Sequence, residues 1–280
     1  MENFDFKMIR EKNIQWIEKV VAERKEILGL SPKLVILKAN DDPASTQYTQ
    51  SIKKFGEGHG IDVEVMHLDS QTSEEALIEH VHRLNCDAGV QGIMIQKPLP
   101  KNVSDQKVVE AIAESKDVEG ITAKSLGKLF LGMETLLPCT PQAVIEFLEG
   151  HNIDIKGKHV VVIGRSDIVG KPLALLCLAK HATVTICHSR TEDMASHTQA
   201  ADYIISAVGK YDYLKPEMVK NGVKIIDVGV NFVEGKMVGD VDGSRFESIA
   251  SWVTPAKGGL GSITTSILFK NLLLAWMKND

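Results

Sequence analysis

The chain has 280 residues, of which 44% are hydrophobic and 25% charged, so it is neither disordered nor collagen-like nor a coiled coil. Its 32 Lys and Arg residues against 37 Asp and Glu residues give a net charge of -5, so no overall positive field attracts nucleic acid. The N-terminal segment carries Glu2 and Asp5, and no long apolar run follows it. We therefore expect no signal peptide, no membrane span and a cytoplasmic protein.

Short apolar runs rich in Val and Ile alternate with helix-length segments. A first helix is predicted from Asn13 to Leu28, where apolar residues recur three and four positions apart. The predicted strands are 34–37, 63–66, 92–95, 160–163, 183–187, 203–206 and 224–228. Strands that alternate with helices indicate parallel sheets covered on both faces, so the predicted fold class is α/β.

The pattern breaks between Lys116 and Pro141 into Gly, Lys and short apolar pieces. Thr140 and Pro141 then open a new helix, with Thr140 expected at the N-cap and Pro141 at the first helical position. We place the crossover between two domains here.

The cysteines and histidines do not have the spacing of metal ligands. Cys86, Cys139, Cys177 and Cys187 are widely separated and are expected to be reduced thiols. The closest histidines, His80 and His82, are two apart on a predicted helix and therefore point in different directions. We predict no metal site.

The segment from His159 to Leu173 is typical of a buried strand, a turn and a helix. Gly164 begins the turn, and Gly170 lies early in the helix, so backbone N–H groups and the positive end of the helix can approach a diphosphate. Arg165 and Ser166 interrupt the GxGxxG spacing, so a purely structural strand-turn-helix remains an alternative. We predict a dinucleotide site.

The following strand, 183–187, ends without the acidic residue that usually binds the ribose hydroxyls of NAD. Arg165, Ser189 and Arg190 can instead meet a 2′-phosphate. The expected cofactor is therefore NADP, with NAD less favoured. Arg190 as a solvated loop charge is the alternative.

Eight ordered motifs cover most of the chain from about Lys33 onward. They are Asp42-Pro43-Ala44-Ser45 with Tyr48, residues 91–100 (QGIMIQKPLP), residues 116–120 (KDVEG), residues 138–141 (PCTP), residues 164–172 (GRSDIVGKP), residues 227–229 (DVG), residues 239–241 (GDV) and residues 254–259 (TPAKGG). Through them the chain resembles the bifunctional methylenetetrahydrofolate dehydrogenase and methenyltetrahydrofolate cyclohydrolase family.

The resemblance implies an N-terminal folate-binding catalytic domain, a Rossmann-like parallel-sheet NAD(P)-binding domain, a cleft between them and a homodimer. It places the folate domain at 1–140 with a C-terminal helix at 262–280, near Ser262 to Met277, and the cofactor domain at 141–261. The substrates would be one-carbon derivatives of tetrahydrofolate.

The resemblance also implies roles for individual residues. Tyr48 would stack on the folate, Gln96 would position the reacting carbon, and Glu119 would hold the pterin. Further substrate contacts would come from Ser45, Pro98, Leu99, Pro255, Gly258 and Gly259. The cofactor would be bound by Gly164, Arg165, Ser166, Ile168, Val169, Gly170, Ser189, Arg190, Val208, Gly209 and Gly229.

The chain departs from the family pattern at its catalytic lysine. The family has lysine four residues after the tyrosine, and here that position is Ile52. On a helix that advances about 100° per residue, position 52 lies about 40° from Tyr48, whereas Lys53 and Lys54 lie about 140° and about 120° away. Neither neighbour is a ready substitute.

Three smaller departures concern the same cleft. Glu119 replaces the usual Asp, Ala256-Lys257 replaces the usual Val-Pro, and residues 260–263 (LGSI) replace the usual Val-Gly-Pro-Met. Lys97 or Lys257 is a candidate to supply the missing ammonium, and exposed charge is the alternative interpretation of both.

Ile52 cannot transfer a proton, so we expect a dehydrogenase whose cyclohydrolase step is weak or lost. The alternatives are a fully bifunctional enzyme in which another residue replaces the lysine, a non-catalytic binder of folate or NADP, and a dehydrogenase for a different substrate.

Overall fold

In a computed structural model, which describes residues 4–234 and 236–278, the chain divides into two compact units. The first unit comprises residues 11–137 and 265–278, and the second comprises residues 4–10 and 138–264. The boundaries fall after residues 137 and 264, whereas the expected boundaries were after residues 140 and 261. Residues 4–10 belong to the second unit, although they were expected in the folate domain.

The first unit is built around a small parallel sheet. Its elements are α1 (Phe6–Leu28, which begins in the second unit), β1 (Lys33–Lys38), α2 (Pro43–Gly58), β2 (Asp62–His67), α3 (Glu74–Cys86), β3 (Gly92–Gln96), α4 (Asp105–Glu110) and α5 (Ala123–Phe130). The three strands pair in the order β2-β1-β3, and both pairings are parallel. The predicted strands are confirmed to within one residue at either end.

The two faces of this sheet are covered by different helices. Val35, Leu37 and Ile93 point to one face and share a buried core with residues of α3 and α4. Alternate residues of a strand point to opposite faces, so Leu34 and its register partner Val63 point the other way. α2 packs there, because a Cβ placed on Gly56 would overlap the side chain of Val63.

The second unit contains a larger parallel sheet and a hairpin. Its elements are α6 (Cys139–Gly150), β4 (His159–Ile163), α7 (Gly170–Ala179), β5 (Thr183–Cys187), α8 (Met194–Ala200), β6 (Tyr203–Ser206), β7 (Lys224–Asp227), β8 (Asn231–Val233), β9 (Lys236–Val238), β10 (Trp252–Val253) and the start of α9 (Gly261–Lys278). Five strands pair in parallel in the order β10-β7-β6-β4-β5, while β8 and β9 form an antiparallel pair. The α/β class is confirmed.

The strand order of the larger sheet reverses at β4. From β4 the chain moves to β5 on one side and then crosses back to β6 on the other. In open parallel sheets, ligands bind in the crevice beyond the carboxyl ends of the strands at such a reversal. Gly164, directly after β4, lies at this point.

Two predicted helix starts differ from the structure. α1 begins at Phe6 rather than Asn13. α6 begins at Cys139 with Pro138 as its N-cap, so the expectation that Thr140 is the cap is wrong. The N–H of Gln142 donates to the carbonyl of Pro138, and Pro141 therefore falls in the first turn, where no intrahelical partner for an N–H is needed. Among the described residues, no helix is both long and apolar enough to cross a membrane.

Candidate active site

A row of polar side chains lies at the carboxyl edge of the three-stranded sheet. Lys38, the last residue of β1, pairs in register with His67 on β2 and with Gln96 on β3. Register partners on parallel strands point to the same face, which here is the face that α2 covers. Lys38 and Gln96 are both buried, whereas His67 is exposed.

Asn40 ties the loop after β1 to the loop after β3. Its amide Nδ2 donates to the carbonyl of Pro98 at 2.9 Å, and its Oδ1 accepts from the N–H of Asp42 at 3.1 Å. Asp42 then caps α2 by accepting from the N–H of Ser45 at 2.7 Å. The first turn of α2 is thereby held next to the strand end that carries Gln96.

α2 presents a buried stripe and an exposed side. Ser45, Thr49, Ile52 and Gly56 form the buried stripe at helical spacing. Tyr48 lies on the other side and is 42% exposed, so its ring is accessible to a ligand. Ile52 is 0% exposed, and the position that the resemblance gives to a lysine is therefore part of the core.

Two buried polar atoms of this set lack hydrogen-bond partners within residues 4–234 and 236–278: Ser45 Oγ and Gln96 Oε1. The other amide atom of Gln96, Nε2, donates to the carbonyl of Lys97 at 2.8 Å. Buried polar groups are normally paired, so a ligand or a water can complete the bonding of these two atoms. Both orphaned atoms belong to residues that the resemblance places against folate.

The lysines considered as substitutes are engaged elsewhere or exposed. Lys53 lies 3.6 Å from the carboxylate of Glu57, and Lys97 lies 2.9 Å from that of Asp105. Lys54 is exposed on α2, and Lys257 is exposed on a loop of the second unit.

Glu119 is half-buried and follows the short segment at Asp117 that pairs with Ile93 on β3. Burial raises the pKa of its carboxyl to about 7, and the charge of nearby Asp117 adds to the rise. The ammonium of Lys97 and the N–H of Ile95 oppose it. Glu119 therefore changes charge near neutral pH.

Pro98 and Leu99 continue this edge of the first unit. Pro98 is exposed, and Leu99 is half-buried against the core shared with α3 and α4.

The turn after β4 in the second unit has the shape of a backbone cradle. Gly164 has φ +127°, and a Cβ there would overlap the carbonyl of Ala207, which follows β6. A Cβ on Gly170 would overlap the carbonyl of Gly164. Only glycine fits at these two points, and α7 begins at Gly170 with its N-terminus toward the turn. The cradle suits the diphosphate of a dinucleotide.

The side chains around this turn are largely exposed. Arg165, Ser166 and Ile168 are exposed and Val169 is half-buried, while Ser166 Oγ accepts from the N–H of Gly170 at 3.3 Å. Ser189 and Arg190 are exposed in the loop after β5. In the described part of the chain, neither Arg165 nor Arg190 forms a salt bridge, so both guanidinium groups are available for a phosphate.

One buried aspartate, Asp240, contacts the loops after β6 and β7. The carboxylate of Asp240 accepts from the N–H groups of Val208 at 2.6 Å, Gly209 at 3.1 Å and Lys210 at 2.9 Å. Gly229 packs directly on Asp240, since a Cβ at 229 would overlap its carboxylate. The loops that carry the remaining predicted cofactor residues are thus held by one side chain.

The loop at 255–259 lies in the second unit before α9. Gly258 has φ +74°, and a Cβ on Gly259 would overlap the carbonyl of Pro255. Ser262 Oγ donates to the carbonyl of Gly259 at 2.7 Å, which joins this loop to the start of α9.

The described residues contain no group of three or more His, Cys, Asp or Glu side chains that could hold a metal ion. All four cysteines are free, and burial raises the pKa of the Cys177 thiol to about 12.

Comparison with known proteins identifies the family. The family model for the tetrahydrofolate dehydrogenase/cyclohydrolase catalytic domain matches residues 4–119, and that for the NAD(P)-binding domain matches residues 138–280. The bifunctional protein FolD of Halalkalibacterium halodurans is 43% identical over 271 residues, which cover 97% of each chain. This chain belongs to the tetrahydrofolate dehydrogenase/cyclohydrolase family.

Solved structures agree with the tetrahydrofolate dehydrogenase/cyclohydrolase assignment. The bifunctional enzyme FolD from Campylobacter jejuni is 37% identical, with a TM-score of 0.93 over 97% of this chain and 96% of that chain. The dehydrogenase-cyclohydrolase of Trypanosoma brucei, solved with NADP and an inhibitor, is 30% identical, with a TM-score of 0.92 over 99% of this chain and 97% of that chain.

One polar residue at this edge of the first unit, Lys38, lies outside the motifs named from the sequence. Lys38 closes the apolar strand Leu34–Leu37, and it is 4% exposed. The signal was available, because a lysine directly after four apolar strand residues and four positions before Asp42 lies at the ligand edge of a parallel sheet.

Proposed function

We propose that this chain oxidises 5,10-methylenetetrahydrofolate to 5,10-methenyltetrahydrofolate with NADP, and that it hydrolyses the product to 10-formyltetrahydrofolate only weakly. One observation carries the proposal: Ile52 is fully buried at the lysine position, while Gln96 on the same sheet face keeps an unpaired buried oxygen. Folate binding is supported by this arrangement, and proton transfer from position 52 is not.

The oxidation needs positioning rather than proton transfer. NADP supplies the hydride acceptor, and the cation left on the one-carbon bridge is stabilised by the two flanking folate nitrogens. The residues of the first unit have to hold the bridge in place, with Tyr48 stacked on the folate, Gln96 near the bridge and Glu119 on the pterin. Proximity of this kind contributes roughly 7 to 11 kcal/mol.

The hydrolysis makes a further demand. Water must attack the methenyl carbon, and protons must move from the water to a folate nitrogen and to solvent. An isoleucine can neither donate a hydrogen bond nor carry a proton, and loss of a positioned proton-transfer group lowers a rate by about 100- to 10,000-fold. The second step is therefore the slow one in this chain.

NADP is favoured over NAD by the loops of the second unit. Arg165 and Arg190 are exposed cations without salt bridges in the described residues, and the loop after β5 offers no carboxylate before Glu192. A carboxylate at that loop would repel a 2′-phosphate, whereas a guanidinium binds it.

The proposal also includes a homodimer, as the resemblance implies. Net charge and the lack of a long apolar run favour a cytoplasmic protein without membrane or nucleic-acid partners. Sedimentation of the purified protein over a range of concentrations tests the dimer, and a single species at about the 30.7 kDa of one chain would contradict it.

Deuterium on the one-carbon bridge tests the oxidation. We expect deuterium to move from bridge-labelled methylenetetrahydrofolate to one face of the NADP nicotinamide. Reduction of NADP with other donors but not with this folate would favour a dehydrogenase for a different substrate. Thermal stabilisation by NADP without any turnover would favour a non-catalytic binder.

A further inference from the structure

We propose that Lys38 supplies to this site the ammonium group that position 52 lacks, and that the weak hydrolysis of methenyltetrahydrofolate depends on it. The inference rests on the proposed function, since it assigns a residue to the second step of that function.

Lys38 lies on the same sheet face as Gln96 and α2. It is the register partner of Gln96, so both side chains leave the sheet on one face. The buried stripe of α2 packs on that face, and Ile52 lies one turn before Gly56 on this stripe. A lysine at position 38 would therefore extend from the sheet, and a lysine at position 52 from α2, into the space between the sheet and that helix.

The ammonium of Lys38 is only partly hydrogen-bonded within the described residues. Its Nζ donates to the carbonyl of Asn40, which is its single hydrogen-bond acceptor within the described residues. An ammonium has three protons, so two remain for a ligand, a water or the unpaired Oε1 of Gln96. No carboxylate of the described chain forms a salt bridge with Lys38.

The cost of burying the Lys38 ammonium also favours a functional role for this residue. A buried ammonium without a carboxylate partner is costly, and an apolar side chain of similar size is as stable or more stable at such a position. The hydrogen bond to the carbonyl of Asn40 uses one of the three ammonium protons, and packing gives no further reason for a lysine at the end of an otherwise apolar strand. A ligand or reaction that uses the positive charge does give one.

The step itself balances without any further reactant. The oxygen of water bonds to the methenyl carbon, the bond from that carbon to one folate nitrogen breaks, and its electron pair stays on that nitrogen. One proton of the water ends on the released nitrogen, and the other leaves to solvent. Lys38 would hold the proton in transit, directly or through one water.

The experiment measures both reactions in three variants. In Lys38→Met, we expect methenyltetrahydrofolate hydrolysis to fall at least about tenfold, to the uncatalysed rate, while NADP-dependent oxidation stays within about twofold. Lys38→Arg keeps the charge but cannot release a proton, so hydrolysis should fall there as well. Lys54→Met removes an exposed lysine of the same unit and serves as the control, with both rates unchanged.

The thermal midpoint separates this role from a structural one. Lys38→Met is expected to keep or raise the midpoint, because it removes a buried charge. Hydrolysis that survives in Lys38→Met, or an unmodified protein that hydrolyses only at the uncatalysed rate, would overturn the inference. So would a loss of both reactions together with a lower midpoint. Absence of oxidation in the unmodified protein would instead refute the proposed function.

Discussion

Tyr48 and Ile52 lie one helical turn apart on α2, yet Tyr48 is 42% exposed and Ile52 is 0% exposed. The difference follows from the buried stripe of α2, to which Ile52 belongs and Tyr48 does not. Position 52 therefore contributes packing in this chain, while position 48 still offers a ring to a ligand.

Ile52→Lys should raise the rate of methenyltetrahydrofolate hydrolysis. The aliphatic stem can fill the space of isoleucine, and the ammonium would lie on the sheet face that carries Gln96 and its unpaired Oε1. We expect a gain of about 100-fold or more, measured as the disappearance of methenyltetrahydrofolate supplied alone. Ile52→Met is the matched control and should leave the rate unchanged.

The same substitution should cost stability. A lysine at a fully buried position must desolvate its charge, so the free energy of unfolding of Ile52→Lys should fall by about 1 to 3 kcal/mol in a denaturant titration. A variant that gains no hydrolysis although it remains folded would show that position 52 does not limit the second step.

The oxidation rate should depend on the ionisation of Glu119. In its proposed role, the carboxylate of Glu119 accepts hydrogen bonds from pterin N–H groups, and the protonated carboxyl accepts them more weakly. Because burial raises the pKa of Glu119 to about 7, kcat/KM for the folate should fall as the pH falls through about 7. Glu119→Gln should remove this dependence.

Glu114→Gln is the matched control for that experiment. Lys124 and Lys128 hydrogen-bond to Glu114 and lower the pKa of its carboxyl, so it does not titrate near neutrality. A pH profile that is flat near 7 in the unmodified protein, or one that persists in Glu119→Gln, would show that Glu119 does not bind the pterin through its charge.

The raised pKa of Glu119 also has a consequence for stability. The folded state holds this proton up to about pH 7, whereas the unfolded state releases it near the ordinary glutamate pKa of 4.5. The free energy of unfolding should therefore fall as the pH rises from about 4.5 to about 7. Glu119→Gln should reduce that fall, as measured by urea titrations at pH 5 and pH 8.

Gly170→Ala should weaken NADP binding. The added Cβ would overlap the carbonyl of Gly164, so the turn between β4 and α7 must open. We expect at least about a tenfold higher Kd for NADP by calorimetry, with circular dichroism unchanged. Gly243→Ala is the control within the same unit, since its nearest contact would be an ordinary 3.8 Å to Val253. Equal affinities in the two variants would argue against the cradle.

Arg190→Ala should reduce the preference for NADP. Removing one guanidinium from a 2′-phosphate typically costs about 1.5 to 3 kcal/mol, so KM for NADP should rise roughly tenfold or more while KM for NAD changes little. Lys158→Ala removes an exposed cation at the opposite end of β4 and should affect neither. A parallel rise for both cofactors would mean that Arg190 does not contact the 2′-phosphate.

The strands were predictable from the sequence because their signal is local. The run Val160–Ile163 is apolar throughout, and this composition alone predicts a buried strand. In the structure it pairs with a strand on each side, which explains why every residue of the run is apolar. The glycines at 164 and 170 were predictable for a similar reason, since a turn from strand to helix requires them.

Other features depended on contacts between distant residues. α6 begins at Cys139 because the N–H of Gln142 donates to the carbonyl of Pro138. In the sequence, the pair Thr140-Pro141 is as typical of a helix start as Pro138-Cys139 is. The burial of Ile52 follows from packing of α2, and the partnership of Lys38 with Gln96 requires the register of strands that are far apart in sequence. No local pattern contains that register.

The ratio of the oxidation rate to the hydrolysis rate in one preparation shows whether the second step has been weakened. Methenyltetrahydrofolate is followed by its absorbance as it forms from methylenetetrahydrofolate with NADP, and again as it disappears when supplied alone. We expect rapid formation and a disappearance that is slow in the unmodified protein and much faster in Ile52→Lys. Disappearance as rapid as formation in the unmodified protein would contradict this expectation.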